Sequence, residues 1–162
     1  MHTKPILGLI ACAAVASFTL PASAAPKSYA DITAVASPAS VKPGGTGKLV
    51  VSVKLVNAKT HINANKPADP FMIPTVFTPG KVAGVTFGAP IYPKAQSVTE
   101  SYSTKALLVY KGTPTITVPF KVAKTAPKKP IVLTGSLKIQ GCDDKSCYPP
   151  VTQPVSVTVA VK

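Results

Sequence analysis

The chain has no tryptophan and no arginine, and only five of its 162 residues are acidic. Without arginine it cannot make bidentate contacts to phosphate groups or guanine bases. Its 18 lysines give a formal net charge of +13, yet they are spread along the sequence, and Lys128 and Lys129 are the only adjacent pair. We therefore interpret the charge as a solvated lysine surface that protects strand edges, and we predict no nucleic-acid binding.

Histidines and acids are too few for most catalytic sites. His61 is the only histidine after residue 24, which excludes a histidine-rich metal centre. Asp143 and Asp144 are the only neighbouring acids, and their adjacency suits solvation better than acid–base work across a substrate. The sequence contains no P-loop, no GxGxxG and no GxSxG. In our leading interpretation we predict no cofactor and no metal site, and any chemistry belongs to the cysteines.

The first 24 residues predict a signal peptide. A lysine at position 4 precedes an apolar run over residues 6–20, and the small-residue sequence Ala22-Ser23-Ala24 follows it. No later apolar stretch approaches the roughly 20 residues that span a bilayer. We expect an exported, soluble protein after cleavage, without stable membrane insertion. Lipid attachment at Cys12 is the alternative.

Period-two hydrophobic alternation is the main structural signal in the rest of the chain. The 18 prolines and the many β-branched residues argue against helices. Strands are predicted at 49–55, 116–122, 133–139 and 155–161, with weaker candidates at 29–36, 72–78, 82–87 and 105–110. Proline- and glycine-rich turns separate them. The sequence therefore predicts an all-β, immunoglobulin-like antiparallel β-sandwich, a single domain over residues 25–162.

Cys142 and Cys147 are the only cysteines after the predicted signal peptide. In an oxidising compartment a disulfide between them is the default expectation. Closing so short a loop contributes only about 2 kcal/mol on the loop-entropy model. The residues alone leave three interpretations open: a structural bridge in a non-catalytic binding module, an exchanging redox pair, or a soft-metal site completed by His61 or Met72.

Two stretches resemble a known family. The run QGCDDKSCYPP at residues 140–150 resembles the active-site segment of the amino-terminal periplasmic domain of the thiol:disulfide interchange protein DsbD. Upstream, HINANKP at 61–67 and IPT at 73–75 are similar to a second stretch of that domain family. The likeness covers residues 31–161. It implies the immunoglobulin-like fold and a redox role for the cysteine pair.

The resemblance also implies individual roles. Cys147 would form the mixed disulfide with partners, and Cys142 would resolve it. Asp143, Asp144, Tyr148 and Pro149 would surround the pair. A cap loop with aromatic residues shields the cysteines in the family, and we predict it at residues 87–96, with Phe87 and Tyr92 as its aromatic side chains.

Partners and location follow from the same resemblance. Such a domain receives electrons from a thioredoxin-like domain that is itself reduced through a membrane-embedded domain. It then reduces periplasmic disulfide-bearing proteins, including those of cytochrome c maturation. We expect a protein-disulfide reductase in the periplasm. Its donor would act in trans, because neither donor domain is found in the sequence.

Overall fold

Residues 29–162 are described by a computed structural model, and this part of the chain forms twelve β-strands and no helix. The strands are β1 (Ala30–Ser37), β2 (Ser40–Val41), β3 (Thr46–Leu55), β4 (His61–Asn63), β5 (Val76–Pro79), β6 (Val85–Phe87), β7 (Gln96–Val98), β8 (Leu107–Lys111), β9 (Thr115–Val122), β10 (Ile131–Ile139), β11 (Gly141–Cys142) and β12 (Val151–Val161). The predicted signal peptide and Cys12 lie outside the described residues.

The strands form three four-stranded sheets. Their orders are β1-β3-β9-β6, β2-β12-β10-β5 and β11-β4-β8-β7. Every pairing is antiparallel except the short parallel contact between β2 and β12. Only Gln140 separates β10 from β11, so one continuous segment belongs to two of the sheets. The predicted immunoglobulin-like antiparallel β-sandwich is confirmed.

The hydrophobic core follows the predicted alternation. In β3 and β9 every second side chain is buried, because alternate residues of a strand point to opposite faces of the sheet. The fully buried residues of the long strands include Leu49, Val51, Val53, Val118, Val122, Leu133, Leu137, Ile139 and Val159. The described chain contains no helix long and apolar enough to cross a membrane.

The short strands fall outside the alternation pattern. β4, β7 and β11 have three, three and two residues, and no strand was predicted at any of them. All three residues of β4 are buried, as are both residues of β11, so neither strand has the exposed positions that would give a period of two. These three strands belong to the sheet that carries the cysteines.

Leu133→Ala should lower the free energy of unfolding by about 2–5 kcal/mol, because Leu133 is fully buried and its loss leaves a cavity. Val132→Ala is the matched control on the same strand, where the side chain is 48% exposed, and it should cost less than about 1 kcal/mol. Urea denaturation followed by circular dichroism measures both. Equal losses would contradict the inward orientation of Leu133.

Candidate functional site

The two cysteines form a disulfide across a tight turn. Cys142 ends β11, and Cys147 pairs with it as an isolated antiparallel bridge, with 3.9 Å between the two Cα atoms. Residues 143–146 make the turn. Cys142 is fully buried, whereas Cys147 is exposed. A thiol arriving from solvent therefore meets Cys147 first.

Asp143 holds this turn together. Its Oδ1 accepts hydrogen bonds from the backbone N–H groups of Lys145 (2.9 Å) and Ser146 (2.8 Å). Its Oδ2 accepts the O–H of Tyr148 at 2.7 Å. The Tyr148 hydrogen bond, followed by the two backbone donors, lowers the pKa of Asp143 to about 2. Asp143 is thus ionised at neutral pH and fixes the turn that carries the disulfide.

Tyr148, directly after Cys147, also stabilises the disulfide turn. Its backbone N–H donates to the Gly141 carbonyl at 2.8 Å, and its ring stacks on Tyr29 with ring centroids 5.5 Å apart. The Tyr29 hydroxyl donates to the Ile139 carbonyl at 3.0 Å. The Tyr29 ring also lies directly against Gly141, where a Cβ atom would clash with it. Glycine is therefore required immediately before Cys142.

Gln140 links Tyr148 to β4 through hydrogen bonds. Its amide nitrogen donates to the Tyr148 carbonyl at 3.1 Å, and its side-chain oxygen accepts from the Asn63 amide at 3.1 Å. Asn63 also donates to the Ile73 carbonyl at 2.9 Å, and its own carbonyl accepts the Thr75 hydroxyl. The two stretches that carried the family resemblance are thus connected by hydrogen bonds.

His61 is the direct neighbour of Cys142 across the sheet. In the pairing of β4 with β11, His61 lies opposite Cys142. In the pairing of β4 with β8, His61 lies opposite Lys111. The imidazole is fully buried, and burial is the main cause that lowers its pKa. The sequence singled out His61 only as a possible ligand of a soft-metal site, and its pairing with the disulfide strand was not predicted.

A loop between β7 and β8, residues 99–106, reaches the disulfide turn; we name it the β7–β8 loop. The Ser101 hydroxyl donates to the Asp144 carbonyl at 2.8 Å. The Tyr102 hydroxyl lies 3.3 Å from Nε2 of His61. A carboxylate oxygen of Glu100 lies 3.7 Å from Nδ1 of the same imidazole. Neither Glu100 nor Tyr102 was singled out from the sequence.

The cap predicted at residues 87–96 has other contacts. Phe87 belongs to β6 and pairs with Phe120 of β9. The Tyr92 hydroxyl accepts the Phe77 N–H at 2.9 Å. Both rings pack against the hydrophobic core, and the contacts described for these two residues do not include the disulfide. The β7–β8 loop contacts the disulfide turn through Ser101, and Lys59 contacts it through Asp144. The cap at residues 87–96 stays a prediction.

The remaining predicted site residues lie at the surface. Asp144 is exposed and forms an ion pair with Lys59, with 3.9 Å between Nζ and the carboxylate oxygen. Pro149 is exposed directly after Tyr148. Within residues 29–162, no group of three or more histidine, cysteine or acidic side chains is arranged to hold a metal ion.

Comparison with known proteins shows the family. The model of the family described as "Thiol:disulfide interchange protein DsbD, N-terminal" matches residues 33–159. No curated protein sequence matches the chain. Among solved structures, the chain is similar to the amino-terminal domain of DsbD from Neisseria meningitidis in its reduced form, with 19% identity, 83% of this chain and 87% of that chain covered, and a TM-score of 0.49.

Two further structures show weaker similarity. The major pilin subunit BcpA of Bacillus cereus is 12% identical, with 82% of this chain and 40% of that chain covered and a TM-score of 0.46. A type I cohesin of Pseudobacteroides cellulosolvens is 11% identical, with 81% and 93% covered and a TM-score of 0.40. At these scores the structural similarities add nothing to what the family match shows.

Tyr148→Phe should raise the pKa of Asp143 from about 2 toward its ordinary value of 3.8, because it removes the hydrogen bond that contributes most to the lowering. The depressed pKa makes the ionised carboxylate a source of stability above pH 3.8, which is lost as the pH falls toward about 2. Titration of the side-chain carboxyl by NMR measures the change.

Tyr110→Phe is the control for this titration, since the Tyr110 hydroxyl donates to Asn65 rather than to Asp143. It should leave the Asp143 titration unchanged. An Asp143 pKa that stays at about 2 in Tyr148→Phe would contradict the assigned cause.

Proposed function

The chain belongs to the family of amino-terminal domains of the thiol:disulfide interchange protein DsbD, and on this premise we propose that it is a dithiol/disulfide carrier. Its Cys142–Cys147 disulfide would take two electrons from a donor dithiol and pass them to a substrate disulfide. Because domains of this family are periplasmic, we place the protein in the periplasm. The alternative is a non-catalytic immunoglobulin-like module in which the disulfide only fixes a loop.

The observation that carries the proposal is the unequal exposure of the two cysteines. Cys147 is exposed and Cys142 is fully buried. Disulfide exchange proceeds through attack on one sulfur, and its rate depends on access to that sulfur. A partner that reaches Cys147 forms the mixed disulfide there and leaves Cys142 protected as the resolving thiol. A purely structural bridge gains nothing from such an arrangement.

In the first half of the proposed cycle a donor dithiol reduces the Cys142–Cys147 disulfide. A donor thiolate attacks Cys147, the Cys142–Cys147 bond breaks, and Cys142 leaves as a thiolate that takes up a proton. The second thiol of the donor then attacks the mixed disulfide, which releases reduced Cys147 and the oxidised donor. Two electrons and two protons have been transferred to the cysteine pair.

In the second half of the cycle the reduced cysteine pair passes its two electrons to a substrate disulfide. The Cys147 thiolate attacks a substrate disulfide, and one substrate sulfur leaves as a thiolate. Cys142 then attacks Cys147, the second substrate sulfur leaves, and the Cys142–Cys147 disulfide forms again. The donor would be thioredoxin-like or membrane-embedded, and the recipients would be disulfide-bearing periplasmic proteins. The cysteine pair supplies all the redox chemistry, so the cycle requires no cofactor.

The turn supports such a cycle. Asp143 and Tyr148 hold the backbone of residues 143–148 through hydrogen bonds that do not involve either sulfur. The two sulfurs would therefore stay near each other when the bond between them is broken. Reversible exchange requires this proximity in both redox states.

Cys142→Ser tests the cycle, because it removes the resolving thiol while Cys147 remains exposed. Expressed in the cell envelope, this variant should accumulate mixed disulfides through Cys147, which appear as higher-mass bands on a non-reducing gel and disappear with reductant. Cys147→Ser is the matched control. It leaves only the buried Cys142 thiol and should trap at least about tenfold less, since exchange rates depend on access.

The proposal fails if Cys142→Ser traps no partner, or if Cys147→Ser traps as much. The first result would leave the disulfide as a structural bridge. The second would show that exposure of the sulfurs does not determine which one reacts.

A further inference from the structure

The loop between β4 and β5, residues 64–75, carries an exposed run of apolar residues. Its segment Pro70-Phe71-Met72-Ile73-Pro74, which we name the apolar segment, contains no buried residue. The Phe71 side chain is 92% exposed, the largest exposed fraction among the large hydrophobic residues of the described chain. Runs of this kind on a protein surface are uncommon unless they contact another molecule.

The apolar segment is held in one conformation by its own loop. Oδ1 of Asp69 accepts the Phe71 N–H at 2.9 Å, and the Asp69 carbonyl accepts the Met72 N–H at 3.2 Å. Three prolines in the loop restrict the backbone φ angle around this turn. The Phe71 ring is thus presented to solvent by a preorganised turn, which lowers the entropy that a partner loses in ordering it.

Hydrogen bonds connect the apolar segment to the exposed cysteine. The Asn63 side-chain amide donates to the Ile73 carbonyl at 2.9 Å and to Oε1 of Gln140 at 3.1 Å. The Gln140 amide nitrogen donates at 3.1 Å to the carbonyl of Tyr148, the residue after Cys147. Three hydrogen bonds in series therefore join the apolar segment to the disulfide turn.

This connection limits the distance between Phe71 and Cys147. Consecutive Cα atoms are about 3.8 Å apart, and Phe71 is two residues from Ile73. With the three hydrogen bonds included, the Cα atoms of Phe71 and Cys147 are at most about 30 Å apart. A standard protein interface covers about 800 Å² on each partner, which is a patch roughly 30 Å across. Both residues are exposed, so one docked protein can contact both.

The charge and the position of the apolar segment indicate what binds it. The formal net charge of +13 makes two copies of the chain repel each other, which disfavours a second copy. Attraction of a membrane to the lysines would not depend on the connection of the loop to the disulfide turn. A protein that exchanges disulfides with Cys147 has to approach this turn. The occupant that fits is therefore a protein with an apolar surface beside its reactive cysteine.

We propose that Phe71 is the docking residue for proteins that exchange disulfides with Cys147, and that its ring enters an apolar depression beside the partner's reactive cysteine. This inference rests on the proposed function, because it describes how the partner is held during exchange. Phe71 takes part in no chemical step. Aromatic side chains at the centre of an interface often contribute much of the binding energy, so loss of the ring should shorten the lifetime of the encounter complex.

The test adds Phe71→Ala to the Cys142→Ser chain in the cell envelope and quantifies the mixed disulfides at Cys147. Phe71→Ala should lower the amount trapped in a fixed time at least about fivefold. Phe71→Leu keeps an apolar side chain and should trap more than Phe71→Ala. Val132→Ala is the matched control, because Val132 is 48% exposed and lies near the start of β10, far along the strand from Gln140. It should leave trapping unchanged.

Asp69→Ala tests the preorganised turn. It removes the side-chain acceptor of the Phe71 N–H and leaves the ring in place. Trapping should fall by a smaller factor than in Phe71→Ala, because the ring is still available but is held less rigidly. A larger loss in Asp69→Ala than in Phe71→Ala would contradict the assignment of docking to the ring.

Two further measurements separate docking from structural damage. Because Phe71 is 92% exposed, Phe71→Ala should leave the urea midpoint of unfolding unchanged. The rate at which dithiothreitol reduces the Cys142–Cys147 disulfide should also stay the same, since a small dithiol needs no docking surface. A changed dithiothreitol rate would show that Phe71 supports the disulfide turn, and would overturn the inference.

The outcomes distinguish this inference from the carrier function. Equal trapping by the Phe71→Ala and Val132→Ala chains would overturn the docking role and leave the carrier function intact. If the Cys142→Ser chain traps no partner, the carrier function fails and the docking role fails with it.

Two other occupants of the apolar segment have their own measurements. A wild-type dimer in light scattering that Phe71→Ala dissociates would assign the segment to a second copy. Co-sedimentation with vesicles of phosphatidylethanolamine and phosphatidylglycerol that Phe71→Ala abolishes would assign it to a membrane. Either result would overturn the inference.

Discussion

The pairing of β11 with β4 is the constraint on which the candidate site depends. It buries Cys142 at the end of a two-residue strand, places His61 opposite it, and leaves Cys147 exposed on the far side of the turn. The contrast between the two sulfurs is therefore a property of the sheet. Because β10 continues into β11 through Gln140, the core of the sandwich fixes the position of the disulfide.

Two sets of contacts surround the cysteine pair. Asp143, Tyr148 and Tyr29 hold the turn from one side through hydrogen bonds and ring stacking. The β7–β8 loop approaches from the other side and makes its contacts through His61 and the Asp144 carbonyl. The first set fixes the backbone of the turn that carries both cysteines.

Sequence reasoning predicted the long strands, because Leu49, Val118 and Leu133 sit in segments with one buried and one exposed face. It also predicted the family that the family match confirms, and it named the cysteine pair as the candidate chemical centre. It missed β2, β4, β7 and β11, which are too short to show a period, and β4 and β11 are also buried throughout. The contacts of Glu100 and Tyr102 with His61 depend on how the β7–β8 loop folds back, which neither alternation nor spacing encodes.

The central claim is that the Cys142–Cys147 disulfide exchanges with thiols and does not merely fix a loop. Its reduction potential tests this most directly, measured by equilibrating the protein with defined ratios of reduced and oxidised dithiothreitol or glutathione and quantifying free thiols. An exchanging pair should have a potential above about −300 mV, in the range of thioredoxin-like couples. A potential below about −300 mV, typical of structural disulfides in secreted proteins, would contradict the account.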